Sequence, residues 1–126
     1  MQICKIEHIN LSVGNVNETA KMLEFLFGWK IRWQGNAQLS GYTIHIGTDC
    51  QYLAIWAKTK EGNENLHHEK GKPLNHIGIE VEDLDAIEEK VRSLGFEPFS
   101  FQNYNPGRRF YFFDKDGIEY EIISYK

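Results

Sequence analysis

Hydrophobic and polar residues alternate from Ile3 to Val13, with Ile9, Leu11 and Val13 on one side and His8, Asn10 and Ser12 on the other. A period of two predicts a strand with one buried face. The period then lengthens. Val16, Ala20, Leu23 and Phe27 recur at helical spacing, with Asn15 placed as N-cap, Glu18 as its capping-box partner and Gly28 as the glycine that ends the helix. Three further strands are predicted over Trp29 to Gln34, Tyr42 to Ile46 and Gln51 to Lys58, separated by Gly35-Asn36, Ser40-Gly41 and Gly47-Thr48-Asp49.

From Thr59 to Pro73 the chain is polar and aperiodic, which predicts a surface connection. The earlier order then recurs. His76 to Val81 alternates, Asp83 is placed as N-cap, Leu84, Ile87, Val91 and Leu94 form a helical stripe, and Gly95 closes it. Phe96 to Phe101, Arg109 to Phe113 and Ile118 to Tyr125 supply three more strands, and Asp116-Gly117 marks a hairpin between the last two. The chain therefore reads as a βαβββ unit written twice. The offset is 76 − 8 = 68 at the histidines and 95 − 28 = 67 at the helix-ending glycines. A repeat of this length is architectural. The expected fold is α+β: two tandem modules (3–58 and 74–126, linked by 59–73) in one domain, forming a curved, cup-like mixed sheet with helices on its outer face.

Composition narrows the partners. The 126 residues carry a net charge of −4 and no clustered basic stripe, which argues against nucleic acid. No apolar run has the length of a membrane span, and the first residues carry no signal-peptide pattern, so a cytoplasmic location is expected. Cys4 and Cys50 lie in no metal-type spacing and are expected as reduced thiols. Aromatic residues make up 13% of the chain and many fall in predicted strands, consistent with a ring-lined recess or with a large core.

The chemistry lies in the strands. If Ile9, Leu11 and Val13 meet the helix, His8 faces the opposite way, and by the same parity so does His76. In the last strand Glu119, Glu121 and Ile123 share one face. Two imidazoles and one carboxylate are a standard donor set for a divalent metal that keeps positions open for water and substrate. A single strand histidine is more often a hydrogen-bonded residue than a ligand; the matched positions of His8 and His76 are what raise a metal site. His67 and His68 fall in the polar connection, where no metal role is expected. Nothing in the repeat pairs His45 with a second position.

The segments IEHINLSVGNV, LFGW, NHIGIEVEDLD and FYFFDKDGIEYEII resemble the vicinal oxygen chelate superfamily, which includes glyoxalase I, fosfomycin- and bleomycin-resistance proteins, methylmalonyl-CoA epimerase and extradiol dioxygenases. The resemblance covers essentially the whole chain. The last segment is similar to the family's Asp-Pro-Asp-Gly-Asn signature, with Lys115 in place of Pro and Ile118 in place of Asn. It implies the paired βαβββ fold, and a divalent metal (Zn, Fe, Mn, Ni or Co) held by His8, His76 and Glu121, with Glu119 one step too early. It also implies a small-molecule substrate and a homodimer.

The family's fourth ligand, where present, falls at 121 − 67 = 54, and residue 54 is Ala. That departure disfavours glyoxalase-type proton transfer, in which a ligand carboxylate serves as base. Fosfomycin-modifying relatives carry an arginine downstream of the ligand Glu that has no counterpart here, and extradiol enzymes usually carry two more modules. A lyase, transferase or dioxygenase reaction stays open. Tyr52 and Trp56 share the face of Ala54 and suit an aromatic or amphipathic substrate, or else pack in a core or interface. His45, Tyr52 or Tyr111 are candidate acid–base groups. Arg108 and Arg109 follow Asn105-Pro106-Gly107, where a loop would bring them over the cleft to clamp an anion, or leave them as surface charges. The alternative from another class is a metal-free small-molecule binder of the bleomycin-resistance type.

Overall fold

The computed structural model describes residues 7–37, 40–63, 74, 76–104 and 107–126. The first module contains β1 (His8–Ser12), α1 (Val16–Phe27), β2 (Lys30–Asn36), β3 (Tyr42–Gly47) and β4 (Tyr52–Ala57). The second contains β5 (Ile77–Glu80), α2 (Leu84–Ser93), β6 (Phe99–Tyr104), β7 (Gly107–Phe113) and β8 (Glu119–Ser124). Both follow the predicted βαβββ order. Contacts divide the chain into two compact units, Met1–Glu69 and Lys70–Lys126.

Hydrogen bonds group the strands into two mixed four-stranded sheets, ordered β1-β4-β3-β2 and β5-β8-β7-β6. In each, the first strand runs parallel to the last, and the remaining pairs are antiparallel. The helix supplies the crossover that a parallel pair needs.

Side-chain parity sorts each sheet into two faces. In the first unit Leu11, Ile44, Ile46, Leu53 and Ile55 are buried and lie opposite one another in register. Helix α1 packs on β3 and β4 and buries Val16, Thr19, Ala20, Leu23 and Leu26. In the second unit Ile77, Phe110, Phe112, Tyr120 and Ile122 form the matching buried face, with α2 against β7 and β8 through Leu84 and Val91.

The helix ends follow the sequence signals. The Asn15 side chain accepts the Glu18 N–H at 2.9 Å, and its amide donates to Gly62 O at 3.2 Å. Gly28 adopts φ 68 and returns its N–H to Glu24 O, a left-handed ending that suits a residue without Cβ. Asp83 caps α2 through Ala86 N–H at 3.0 Å.

Several boundaries shift by one to three residues from expectation; β2 runs to Asn36, β6 to Tyr104, and β7 begins at Gly107. Leu26, rather than Phe27, is the fully buried residue at the end of the α1 stripe. Strand β6 begins at Phe99 instead of Phe96. The Phe96 N–H is taken by Val91 O at the end of α2, and Pro98 has no N–H to offer a ladder. Cys50 is exposed and free; Cys4, His67 and His68 lie outside the described residues. No helix among the described residues is long and apolar enough to cross a membrane.

Candidate functional site

Register makes the repeat exact enough to read position by position. Asn10 lies opposite Ala54, and Gly78 opposite Glu121, so Ala54 and Glu121 are equivalent. His45 pairs with Ala54, and Tyr111 with Glu121. His45 therefore does have a repeat counterpart, Tyr111, at an offset of 111 − 45 = 66. Sequence comparison misses it because the residue type changes and the turns differ in length. One step further out, Trp33 pairs with His45 and Phe99 with Tyr111.

The face turned away from α1 in the first unit carries a run of neighbouring rings, stacked at His8–Tyr52 and Tyr52–His45 and tilted at His45–Trp33. Tyr52 lies between His8, at 5.0 Å between centroids, and His45, at 4.7 Å; Trp33 is 5.1 Å beyond His45. The Arg32 guanidinium sits 4.4 Å over the Tyr52 ring. Arg32 and Trp33 are neighbours in sequence yet both reach this face. A register shift between Ile31 and Trp33 inserts one extra residue in β2, and such a bulge re-aims a side chain. Nothing in the alternating pattern signals it.

Charge shapes this face. Burial lowers the His45 pKa, and the neighbouring His8 and Arg32 charges add to the effect, which favours the neutral imidazole. Burial raises the Tyr52 phenol, helped by the Glu7 carboxylate. Glu7 is lowered by its hydrogen bond with His8, at 2.8 Å from His8 Nδ1. The Tyr52 hydroxyl also donates to Glu7 Oε1, at 3.3 Å. Trp56 is tied down on the same face: it is buried, and its Nε1 donates to Ser40 O at 2.8 Å.

In the second unit the corresponding face gathers charge around one carboxylate. Glu121 Oε1 is 3.1 Å from His76 Nε2, and Glu121 Oε2 accepts from Arg109 Nη1 at 3.1 Å. On its other side His76 Nδ1 is 3.5 Å from Glu119 Oε2, a charge contact longer than a good hydrogen bond. Tyr111 meets His76 edge-on at 5.9 Å, and Phe99 stacks on Phe113 at 5.2 Å.

The two arginines are strand residues of β7, not loop residues. Successive positions point to opposite faces, so Arg108 bonds Asp85 near the start of α2 at 2.9 Å while Arg109 bonds Glu121. Arg109 is thus a partner of the candidate ligand Glu121.

Of the three predicted ligands, His76 and Glu121 are thus in contact, and His8 belongs to the first unit. Their separation fits a shared ion: two donors about 2.1 Å from one metal at roughly a right angle stand about 3 Å apart. Among the described residues, no group of three His, Cys, Asp or Glu side chains is assembled around one point.

Solved structures share this architecture. A glyoxylase/bleomycin resistance protein/dioxygenase domain from Frankia sp. EAN1pec is 20% identical, with a TM-score of 0.79 over 99% of this chain and 94% of that one. The fosfomycin resistance protein FosX from Listeria monocytogenes, solved with Mn(II) and sulfate, is 20% identical with a TM-score of 0.73 over 98% and 93%. A glyoxalase family protein from Enterococcus faecalis is 16% identical with a TM-score of 0.71 over 94% and 96%. Among curated proteins, none matches. Residues 5–122 match the family described as the Glyoxalase/Bleomycin resistance protein/Dioxygenase superfamily, and with both modules in place the chain belongs to it.

Proposed function

We propose that this protein is a small metalloenzyme in which His8, His76 and Glu121 hold a divalent ion for chemistry on a small organic substrate. The observation that carries the reading is the 3.1 Å approach of His76 Nε2 to Glu121 Oε1, a donor spacing that suits one ion. The matched positions of His8 and His76 on β1 and just before β5, and the Mn(II) bound by FosX, support it. A divalent ion held there supplies Lewis acidity toward substrate oxygens.

The chain's own groups would do the rest. Arg109 holds the second oxygen of Glu121 and fixes the direction of the first. His45, kept neutral, is an acceptor for a substrate proton on the ring-bearing face. Tyr52 and Trp33 offer aromatic surface to an aromatic or amphipathic substrate. With Ala54 at the fourth-ligand position, no second carboxylate ligand is present to act as base, which turns the reading away from glyoxalase-type isomerisation.

One observation favours a second reading, a metal-free small-molecule binder: both oxygens of Glu121 already have protein partners. Metal analysis of protein purified without added metal, followed by Mn(II) titration, separates the two. The enzyme reading expects near one ion per chain in the wild type and loss in His76→Ala. Near-zero uptake in both would sink it.

A further inference from the structure

We propose that Glu7 is a positioning residue for His8: its carboxylate takes the Nδ1 proton and leaves Nε2 as the ring's outward donor. Three contacts define the arrangement. Glu7 Oε1 lies 2.8 Å from His8 Nδ1. The Tyr52 hydroxyl donates to that same oxygen at 3.3 Å. The Tyr52 ring lies nearly parallel to the His8 ring, at 17° and 5.0 Å. Carboxylate and imidazole are therefore held by one tyrosine, through its edge and its face together.

The second module also sets a carboxylate on the Nδ1 side of its histidine, more loosely, at 3.5 Å, with the closer contact, 3.1 Å, at Nε2. His76 turns Nδ1 toward Glu119 and Nε2 toward Glu121. Register places Tyr52 opposite His8 in the first module, and Tyr52 is equivalent to Glu119, two residues before the Ala54 and Glu121 positions. Where the second module has the β8 carboxylate Glu119, the first has the tyrosine, and its carboxylate comes from Glu7. Glu7 immediately precedes β1 and its carbonyl accepts the Tyr52 N–H at 3.2 Å, yet its side chain reaches the His8 ring and the Tyr52 hydroxyl. A ring nitrogen tied to a carboxylate fixes which of the two nitrogens is left to bind metal, and such partners commonly change metal affinity 10- to 100-fold.

The use of the freed nitrogen for metal rests on the function proposed above; the orientation of the ring does not. Long-range ¹H–¹⁵N correlation spectra of the metal-free protein at a pH where histidine is neutral read the tautomer directly, with the His8 signals assigned by their loss in His8→Gln. The wild type is expected to show the Nδ1–H form at His8, and Glu7→Ala a shift toward the Nε2–H form. Tyr52→Phe, which keeps the stacked ring, should give an intermediate shift. Glu97→Ala, a change at a highly exposed carboxylate, should leave the signals unmoved. An Nε2–H form in the wild type, or an unchanged tautomer in Glu7→Ala, overturns the proposal. Mn(II) titration forms the second arm: Glu7→Ala should weaken binding at least about ten-fold. If the wild type binds Mn(II) and Glu7→Ala binds it equally well, the positioning role fails. If the wild type takes up none, the metal triad fails and the tautomer alone decides the role of Glu7.

Discussion

Ala54 in β4 and Glu121 in β8 hold the same register position, one opposite Asn10 and the other opposite Gly78. Restoring a carboxylate by Ala54→Glu tests what that difference does. Ala54 is 3% exposed, so an unpaired carboxylate there should lower the stability of metal-free protein by about 1–3 kcal/mol. Under the proposed metal reading, Mn(II) should recover the loss and raise the melting temperature more than it does for the wild type. Melting curves with and without Mn(II) check this, and equal metal-induced shifts in both proteins would count against a fourth donor.

Arg109 and Glu121, 15% and 13% exposed, form an ion pair at 3.1 Å. Removing one partner of a mostly buried pair costs more than replacing both. Glu121→Gln is expected to lose about 2 kcal/mol in urea unfolding of the metal-free protein, and the double variant Glu121→Gln with Arg109→Met to recover part of it. A double variant less stable than the additive sum would show that the pair is not what holds these residues.

Asp114 closes the β7–β8 turn, its Oδ1 accepting from Asp116 N–H at 2.9 Å and Ile118 N–H at 3.0 Å. It is 7% exposed, and burial lifts its pKa from an ordinary 3.8 to about 6. The folded state therefore binds a proton more tightly than the unfolded chain. The stabilisation from this group is complete below pH 4 and is lost as pH rises through about 6, by at most about 3 kcal/mol. Asp114→Asn keeps the accepting oxygen without the charge. It should be more stable than the wild type at pH 7, with a gap that closes toward pH 4, as read by urea unfolding across that range.

Gly41 adopts φ +89, and a Cβ there would come within 2.4 Å of Trp56 Nε1 and 2.6 Å of Ala57 O. Backbone strain and the clash act together, so Gly41→Ala should cost about 2–4 kcal/mol. It should also displace the indole from Ser40 O, seen as a change in tryptophan fluorescence. Unchanged stability and emission would show that the turn relaxes freely.

Most of the fold was legible because two periods alternate in a fixed order and the caps at Asn15, Gly28 and Asp83 are local signals. Alternation put Glu119 and Glu121 on one face of β8 and His76 on the side opposite Ile77, and the structure brings His76 against Glu121. Parity alone does not carry two others: Arg32 reaches its face through a bulge, and Glu7, at the edge of β1, through its contacts with His8 and Tyr52. The pairing of Arg109 with Glu121 needed the β7–β8 register, and the equivalence of His45 with Tyr111 needed both sheets.

The offsets of 68, 66 and 67 at β1, β3 and β4 show that the two copies differ in length at more than one place, and one of these lies inside a strand: between β2 and β6 the offset is 66 at Trp33 and Phe99 but 67 at Gly35 and Gln102. A chain made of two second modules would carry two first-strand histidines and two glutamates at the Glu121 position; one made of two first modules would carry two first-strand histidines and no glutamate there. Chimeras of the two modules would thus vary the number of carboxylates at this position one at a time, from none to two.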